Sequence, residues 1–217
     1  MDETTILSIQ KQRGTAHAVL EDGERILIPA PLFRERPLRV GERIDPDAYR
    51  SWMDARASGF ALDCAVRYLA ARPRTVREVQ SRLKDAGYSA EISGQVVERL
   101  RREGYLNDAA FAEQWVLSRE ERGMGARRLS QELHRKGVDD ALVQHAISGM
   151  TEEDTQRHAA EQAKKLIGRT HGKTPQDVRR KVLAALVRRG YSWAEAQRAF
   201  AQNADTEDEE HSFWEDE

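Results

Sequence analysis

Basic side chains fall in short groups along this chain of 217 residues, and the groups suit gripping an anion better than breaking a bond. Arg72, Arg74 and Arg77 come first, with Arg82 and Lys84 just beyond them. Arg127 and Arg128 follow, then Arg179, Arg180 and Lys181, then Arg188 and Arg189. Guanidinium and ammonium groups set at intervals suit a phosphate backbone or an acidic protein groove. The groups at 72–77, 127–128 and 179–181 sit near predicted helix starts, where cations oppose the helix dipole. Helix stability therefore does not explain them. Arg188 and Arg189 lie near a predicted helix end, where the same charges also answer the dipole.

Nothing comparable points to catalysis. His17, His134, His145, His158, His171 and His211 are scattered, and none has metal-ligand spacing with a second His or a Cys. No phosphate-binding loop of the Gly-Lys-Ser/Thr kind is present. The segment Gly168-Arg169-Thr170-His171-Gly172-Lys173 is glycine-flanked and basic but lacks that order, and reads as a loop. No catalytic residue, cofactor or metal is expected, and any effect on ATP should belong to a partner. The single Cys64 excludes an internal disulfide and fits a reducing cytosol as a packed thiol. No apolar run approaches 18 residues, and the start Met1-Asp2-Glu3-Thr4 lacks the basic and apolar stretches of a signal peptide. A cytoplasmic protein is expected.

The net charge of -2 conceals an asymmetry. Residues 205–217 carry eight acidic and no Lys or Arg residues, whereas residues 58–204 are net +7. A basic body with an acidic tail points to an anionic partner.

These groups ride on a repeat. Leu83-Lys84-Asp85-Ala86-Gly87-Tyr88, Leu133-His134-Arg135-Lys136-Gly137-Val138 and Leu186-Val187-Arg188-Arg189-Gly190-Tyr191 share one pattern, with glycines 50 and 53 residues apart. Val79, Leu129 and Val182 lie four residues before each Leu. Such a period means one supersecondary unit, copied and stacked. Thr75-Val76-Arg77-Glu78 and Ser192-Trp193-Ala194-Glu195 read as capping boxes, Thr174-Pro175 as a helix start, and Gly87, Gly137 and Gly190 as helix stops. The punctuation divides the chain into residues 58–106, 107–150 and 151–204, each with three helices. Phe111, Trp115, Leu129, Leu133, Leu142 and Ile147 are the expected core of the second unit. Tyr68, Leu69, Val79, Leu83, Val96, Val97 and Leu100 serve the first, and Leu166, Val182, Leu186, Ala196 and Phe200 the third.

Residues 4–45 read as short β-strands. Thr5, Leu7 and Ile9 alternate with more polar neighbours, and Asp22-Gly23 marks a hairpin. So small a piece, spanning 1–57 with a linking helix from Tyr49, should dock on the first long helix. Residues 205–217 read as a disordered acidic tail.

The stretches Arg72–Leu83 and Gly104–Ala112, continuing at Trp115, Arg119, Gly125, Glu132–Gly137 and Arg188–Ser192, resemble the RecX family of regulatory proteins. The resemblance covers most of residues 58–204. It implies a mainly α fold of three tandem three-helix repeats in a curved, elongated array; a monomer is expected. It also implies binding to the RecA recombinase, chiefly its filament on single-stranded DNA, with inhibition of strand exchange, ATPase and coprotease activities in DNA repair and the SOS response. The β segment and the acidic tail fall outside that pattern. An alternative is a helix-turn-helix protein that binds DNA directly, since each unit holds a sharp glycine turn between helices.

Overall fold

The computed structural model describes residues 3–172 and 174–212, with side chains described up to residue 203. Two compact units divide the chain, residues 1–107 and residues 108–217.

The first unit opens with a four-stranded antiparallel sheet of order β3-β2-β1-β4, made of β1 (Thr4–Gln12), β2 (Thr15–Leu20), β3 (Arg25–Pro29) and β4 (Arg43–Ile44). The Asp22-Gly23 turn joins β2 to β3, as the dipeptide predicts. The alternation in β1 is out of phase with the expectation. A register shift between Ile6 and Ser8 turns Leu7 outward, 55% exposed, and sends Ile6 into the core. A bulge inserts one residue and flips the inward face. The all-β reading of 4–45 also misses α1 (Ala30–Glu35), a six-residue helix with Pro31 in its first turn. Proline suits that position because its absent N–H has no intrahelical acceptor there.

Helix α2 (Pro46–Ala71) carries the sheet. The Asp45 side chain caps its start by accepting from the Asp47 and Ala48 amides, both at 3.0 Å. Tyr49 is buried, and its hydroxyl donates to the Arg36 carbonyl at 2.9 Å. The Arg56 guanidinium meets Glu35 at 3.1 Å, and Arg50 pairs with Glu24 on the β2–β3 turn. The small piece thus docks on the long helix, as expected. Further along, Ala57, Ala61 and Ala65 recur every fourth residue and are buried. Small side chains on one stripe let α3 (Val76–Asp85) and α4 (Ala90–Arg102) pack against α2. One continuous core runs from Ile6 and Leu20 through Tyr49 to Val79, Leu83 and Leu100.

The second unit holds two further helix trios. The first is α5 (Asp108–Glu120), α6 (Ala126–Arg135) and α7 (Asp140–Ser148). The next is α8 (Glu152–Ile167), α9 (Pro175–Arg188) and α10 (Trp193–Ser212). In each trio the first and third helices pack together. Leu129 and Leu133 are fully buried in one core, and Val182 and Leu186 in the other. Truncating such a leucine to alanine costs about 2–5 kcal/mol. Gly87, Gly137 and Gly190 all have positive φ, at 86°, 79° and 98°, so each repeat phrase ends in the turn its glycine predicts. Both capping boxes form: Thr75 and Glu78 exchange bonds at 3.2 and 3.1 Å, and Ser192 and Glu195 at 3.2 and 2.6 Å. Helix α10 runs to Ser212, and so enters the segment 205–217 expected as a disordered acidic tail; residues 213–217, and the side chains from 204 on, lie outside the described residues.

Candidate partner-binding surface

The ten arginines and one lysine singled out from sequence do not form one class. In the first unit, Arg72 and Arg74 both reach Glu78, at 2.9 and 3.9 Å. Glu78 is itself the capping carboxylate of α3. The Arg74 guanidinium also lies 3.9 Å from the centre of the Tyr68 ring, and its side chain is only 14% exposed. Arg74 is built into the α2–α3 corner, so little of its charge faces a partner. Arg77 and Arg82 are exposed and have no ion pair among the described residues. They do not share a face, because five residues of helix turn the chain by about 140°. Arg77 instead lines up with Gln80, Ser81 and Lys84, opposite the buried Val79 and Leu83.

In the second unit, Glu132 is a collecting point. Its carboxylate accepts from Arg119 at 3.1 Å, from Arg128 at 3.2 Å and from the Trp115 indole at 3.3 Å. Arg119 stacks on Trp115, 3.3 Å from the ring centre, and the Lys136 ammonium lies 4.3 Å from the same ring. Sequence reasoning places Trp115 in the core; it is partly buried and packs against that core, but its nitrogen is tied to this charged network. Arg128 is therefore half committed to its own helix pair. Arg180 pairs with Asp177 at 2.9 Å, and Lys181 donates to the His171 carbonyl at 2.7 Å. Arg127, Arg179 and Arg188 are exposed, with no ion pair among the described residues.

The fold brings four of these residues together. The Gly125 amide donates to the Arg189 carbonyl at 2.9 Å, and the Arg127 amide to the Gly190 carbonyl at 3.2 Å. A methyl group on Gly190 would lie 2.5 Å from the Arg128 Cβ. The start of α6, with Arg127 and Arg128, thus abuts the α9–α10 turn, with Arg188 and Arg189. This backbone joint between the second and third trios is not readable from sequence, since its partners lie 63 and 64 residues apart. Arg179 to Lys181 lie nearer the other end of α9, about 10–14 Å from Arg188 along the helix axis.

Three polar side chains near this joint are largely withdrawn from water. Glu120 and Tyr191 are buried, His158 is nearly so, and the Glu120 carboxylate lies 4.0 Å from the His158 Nδ1. Burial pushes the Glu120 carboxyl above its usual range, an effect that His158 partly offsets. Burial likewise pushes the Tyr191 hydroxyl far up, so it stays protonated. Among the described residues no group of His, Cys, Asp and Glu could hold a metal ion, and no helix is long and apolar enough to cross a membrane.

Comparison with known proteins fits this architecture. Residues 61–100, 107–147 and 152–200 match, in that order, the first, second and third three-helix domains of RecX. The regulatory protein RecX of Lactobacillus delbrueckii subsp. bulgaricus is 30% identical over 194 residues, spanning 89% of this chain and 72% of that protein. The regulatory protein RecX of Mycolicibacterium smegmatis is 35% identical over 164 residues, spanning 72% of this chain and 87% of that one. Among solved structures, a crystal structure of regulatory protein RecX superposes with a TM-score of 0.63 at 21% identity, covering 93% of this chain and 99% of that one. RecX from Lactobacillus salivarius superposes at 0.64, with 20% identity, over 69% of this chain and 98% of that one.

Proposed function

Since this chain belongs to the RecX family of regulatory proteins, we propose that it binds RecA and its filament on single-stranded DNA, and inhibits the filament's recombinase, ATPase and coprotease activities. It then modulates DNA repair and the SOS response in the cytoplasm, as a monomer and without catalysis of its own. The observation that carries this reading is the ordered set of three family domains, with Arg127, Arg128, Arg188 and Arg189 gathered where the second and third domains meet. A main-chain joint brings the segments that carry these charges side by side, which suits an anionic partner.

A reader of duplex DNA would present base-contacting side chains on a recognition helix. The helix after the glycine turn, α4, buries Ile92, Val96, Val97 and Leu100, while its Arg99 is paired with Glu103 at 2.8 Å. That composition gives the helix-turn-helix alternative less support. Titrating the chain into preformed RecA filaments tests the proposal. A fall in DNA-dependent ATP hydrolysis is expected at substoichiometric protein, with none from the chain alone. An unchanged rate at excess protein would refute it.

A further inference from the structure

The three repeats fill one place in three ways. Three residues before the repeat glycine stand Lys84, His134 and Val187; three after it stand Ala90, Asp140 and Trp193; six after it stand Ser93, Val143 and Ala196. In the second repeat the His134 and Asp140 side chains approach to 3.5 Å across the turn, over a fully buried Val143. In the third, apolar Val187 and Trp193 hold the two outer positions over a fully buried Ala196. In the first, Lys84 and Ala90 hold the outer positions, and both line a cavity of about 470 Å³ between α3 and α4.

That cavity is chemically uneven. Arg77 and Lys84 line it, exposed and without an ion pair among the described residues. Gln80 and Ser81 add an amide and a hydroxyl, able both to donate and to accept. Ser93 lines it too. Its side chain is 95% buried by neighbours, with 5% exposure remaining, and its hydroxyl has no hydrogen-bond partner. A hydroxyl held away from water without a partner is costly, and the matched positions avoid the cost with Val143 and Ala196. The start of α4 opens beside it, where the dipole favours negative charge. Glu91, the acidic residue of that first turn, does not line the cavity.

We infer that this cavity in the first repeat seats one nucleotide of a DNA single strand, with its phosphate between Arg77 and Lys84 and its polar edge against Gln80, Ser81 and Ser93. The volume is that of a small-molecule site, larger than a bare anion needs. The inference deepens the single-stranded DNA part of the reading above, and adds that the first repeat touches DNA without RecA.

The test uses the full chain and a fluorescein-labelled oligothymidylate, followed by anisotropy without RecA. Ser93→Val removes the hydroxyl while copying the second repeat, and should weaken binding roughly tenfold at unchanged charge. Arg77→Ala, an exposed substitution that spares folding, should weaken it similarly. Arg82→Ala removes the same charge from the far side of α3 and should stay within about twofold. Thymidine monophosphate should compete at lower concentration than inorganic phosphate, and an oligoglutamate peptide should not compete. Parent affinity in a folded Ser93→Val variant, equal losses from Arg77→Ala and Arg82→Ala, or equal competition by phosphate or oligoglutamate would each overturn the inference. The same variants enter the RecA ATPase titration. Loss of DNA binding with inhibition retained upholds the pocket and assigns filament regulation to other surfaces. Failure of the parent chain to inhibit refutes the filament reading and leaves the pocket result standing.

Discussion

Alanine at Gly125 should cost about 2–4 kcal/mol, far more than its conservative chemistry suggests. Gly125 sits at φ −81° and ψ 160°, ordinary values for alanine, so the backbone sets no obstacle. The obstacle is the added methyl. It would strike the Gly190 carbonyl carbon and lie 2.5 Å from both the Gly190 oxygen and the Tyr191 nitrogen. These are main-chain atoms of the α9–α10 turn and cannot swing aside as a side-chain tip does. If the joint stays closed, overpacking costs about 1–3 kcal/mol. If it opens, the bonds from the Gly125 and Arg127 amides are lost, at about 1 kcal/mol each and more where the groups stay buried. Alanine is also the poorer N-cap. Gly59→Ala in α2 is the control: its methyl meets nothing within 4 Å, and the helix should gain about 0.5–1 kcal/mol. Urea unfolding followed by circular dichroism, with amide exchange at Gly125 and Arg127, makes the comparison. A parent-like midpoint and parent-like protection in Gly125→Ala, with the control behaving as expected, would refute the steric argument.

Three further outcomes follow from the same structure. Because burial raises the Glu120 carboxyl, the folded state holds that proton more tightly than the unfolded chain does, so stability should fall as pH rises from about 4 and stay lowered above the raised value. Glu120→Gln should remove that slope despite the nearby His158, Asp154, Arg157, Glu121 and Tyr191, and should melt higher than the parent near neutral pH; identical melting curves would count against it. Arg127→Glu with Arg188→Glu should weaken filament binding and lower the log-log salt slope by roughly 0.7 per lost single-strand contact, whereas Arg180→Glu with Lys181→Glu, already tied to Asp177 and the His171 carbonyl, should do less. Removing residues 205–217 should tighten binding to single-stranded DNA, more at about 50 mM than at about 150 mM salt, if the acidic tail competes for the basic body; equal affinities would leave it a solubilising tail.

What was legible in the sequence was local. Thr75 with Glu78, Ser192 with Glu195 and the three repeat glycines announce helix ends within a few residues of themselves, and all form as read. The phase of β1 was not legible, because the bulge at Leu7 depends on how β2 pairs with it. Helix α1 is too short to show a period, and its Pro31, like Pro29 before it, reads equally well as a strand break. The charges were counted correctly but not their commitments. Arg74 looks free until α2 brings Tyr68 beneath it, and Glu132, one helical turn from Arg128, shows no sign that Arg119 and Trp115 of α5 also converge on it. Gly123 and Gly125 signal a break, yet the Gln162 side chain and the Gly190 backbone that press on them come from the next repeat. The cavity of the first repeat left only the trace of a Ser where its copies have Val and Ala.

Helix α2 bears on which pieces of this chain could be exchanged with those of a relative. A copied three-helix module is portable only if its helices answer to it alone. Helix α2, about 39 Å long, spends its first half against the N-terminal piece, where Tyr49 and Arg56 are bound to Arg36 and Glu35 at the end of α1, and reaches α4 with its second half. A graft of the first repeat that began inside α2 would expose Ala57, Ala61 and Ala65 beside a severed helix. The second and third repeats share a main-chain seam closed by the Gly125 and Arg127 amides. The interchangeable parts of this protein are therefore two, residues 1–107 and the seamed pair that follows, although its sequence repeats three times.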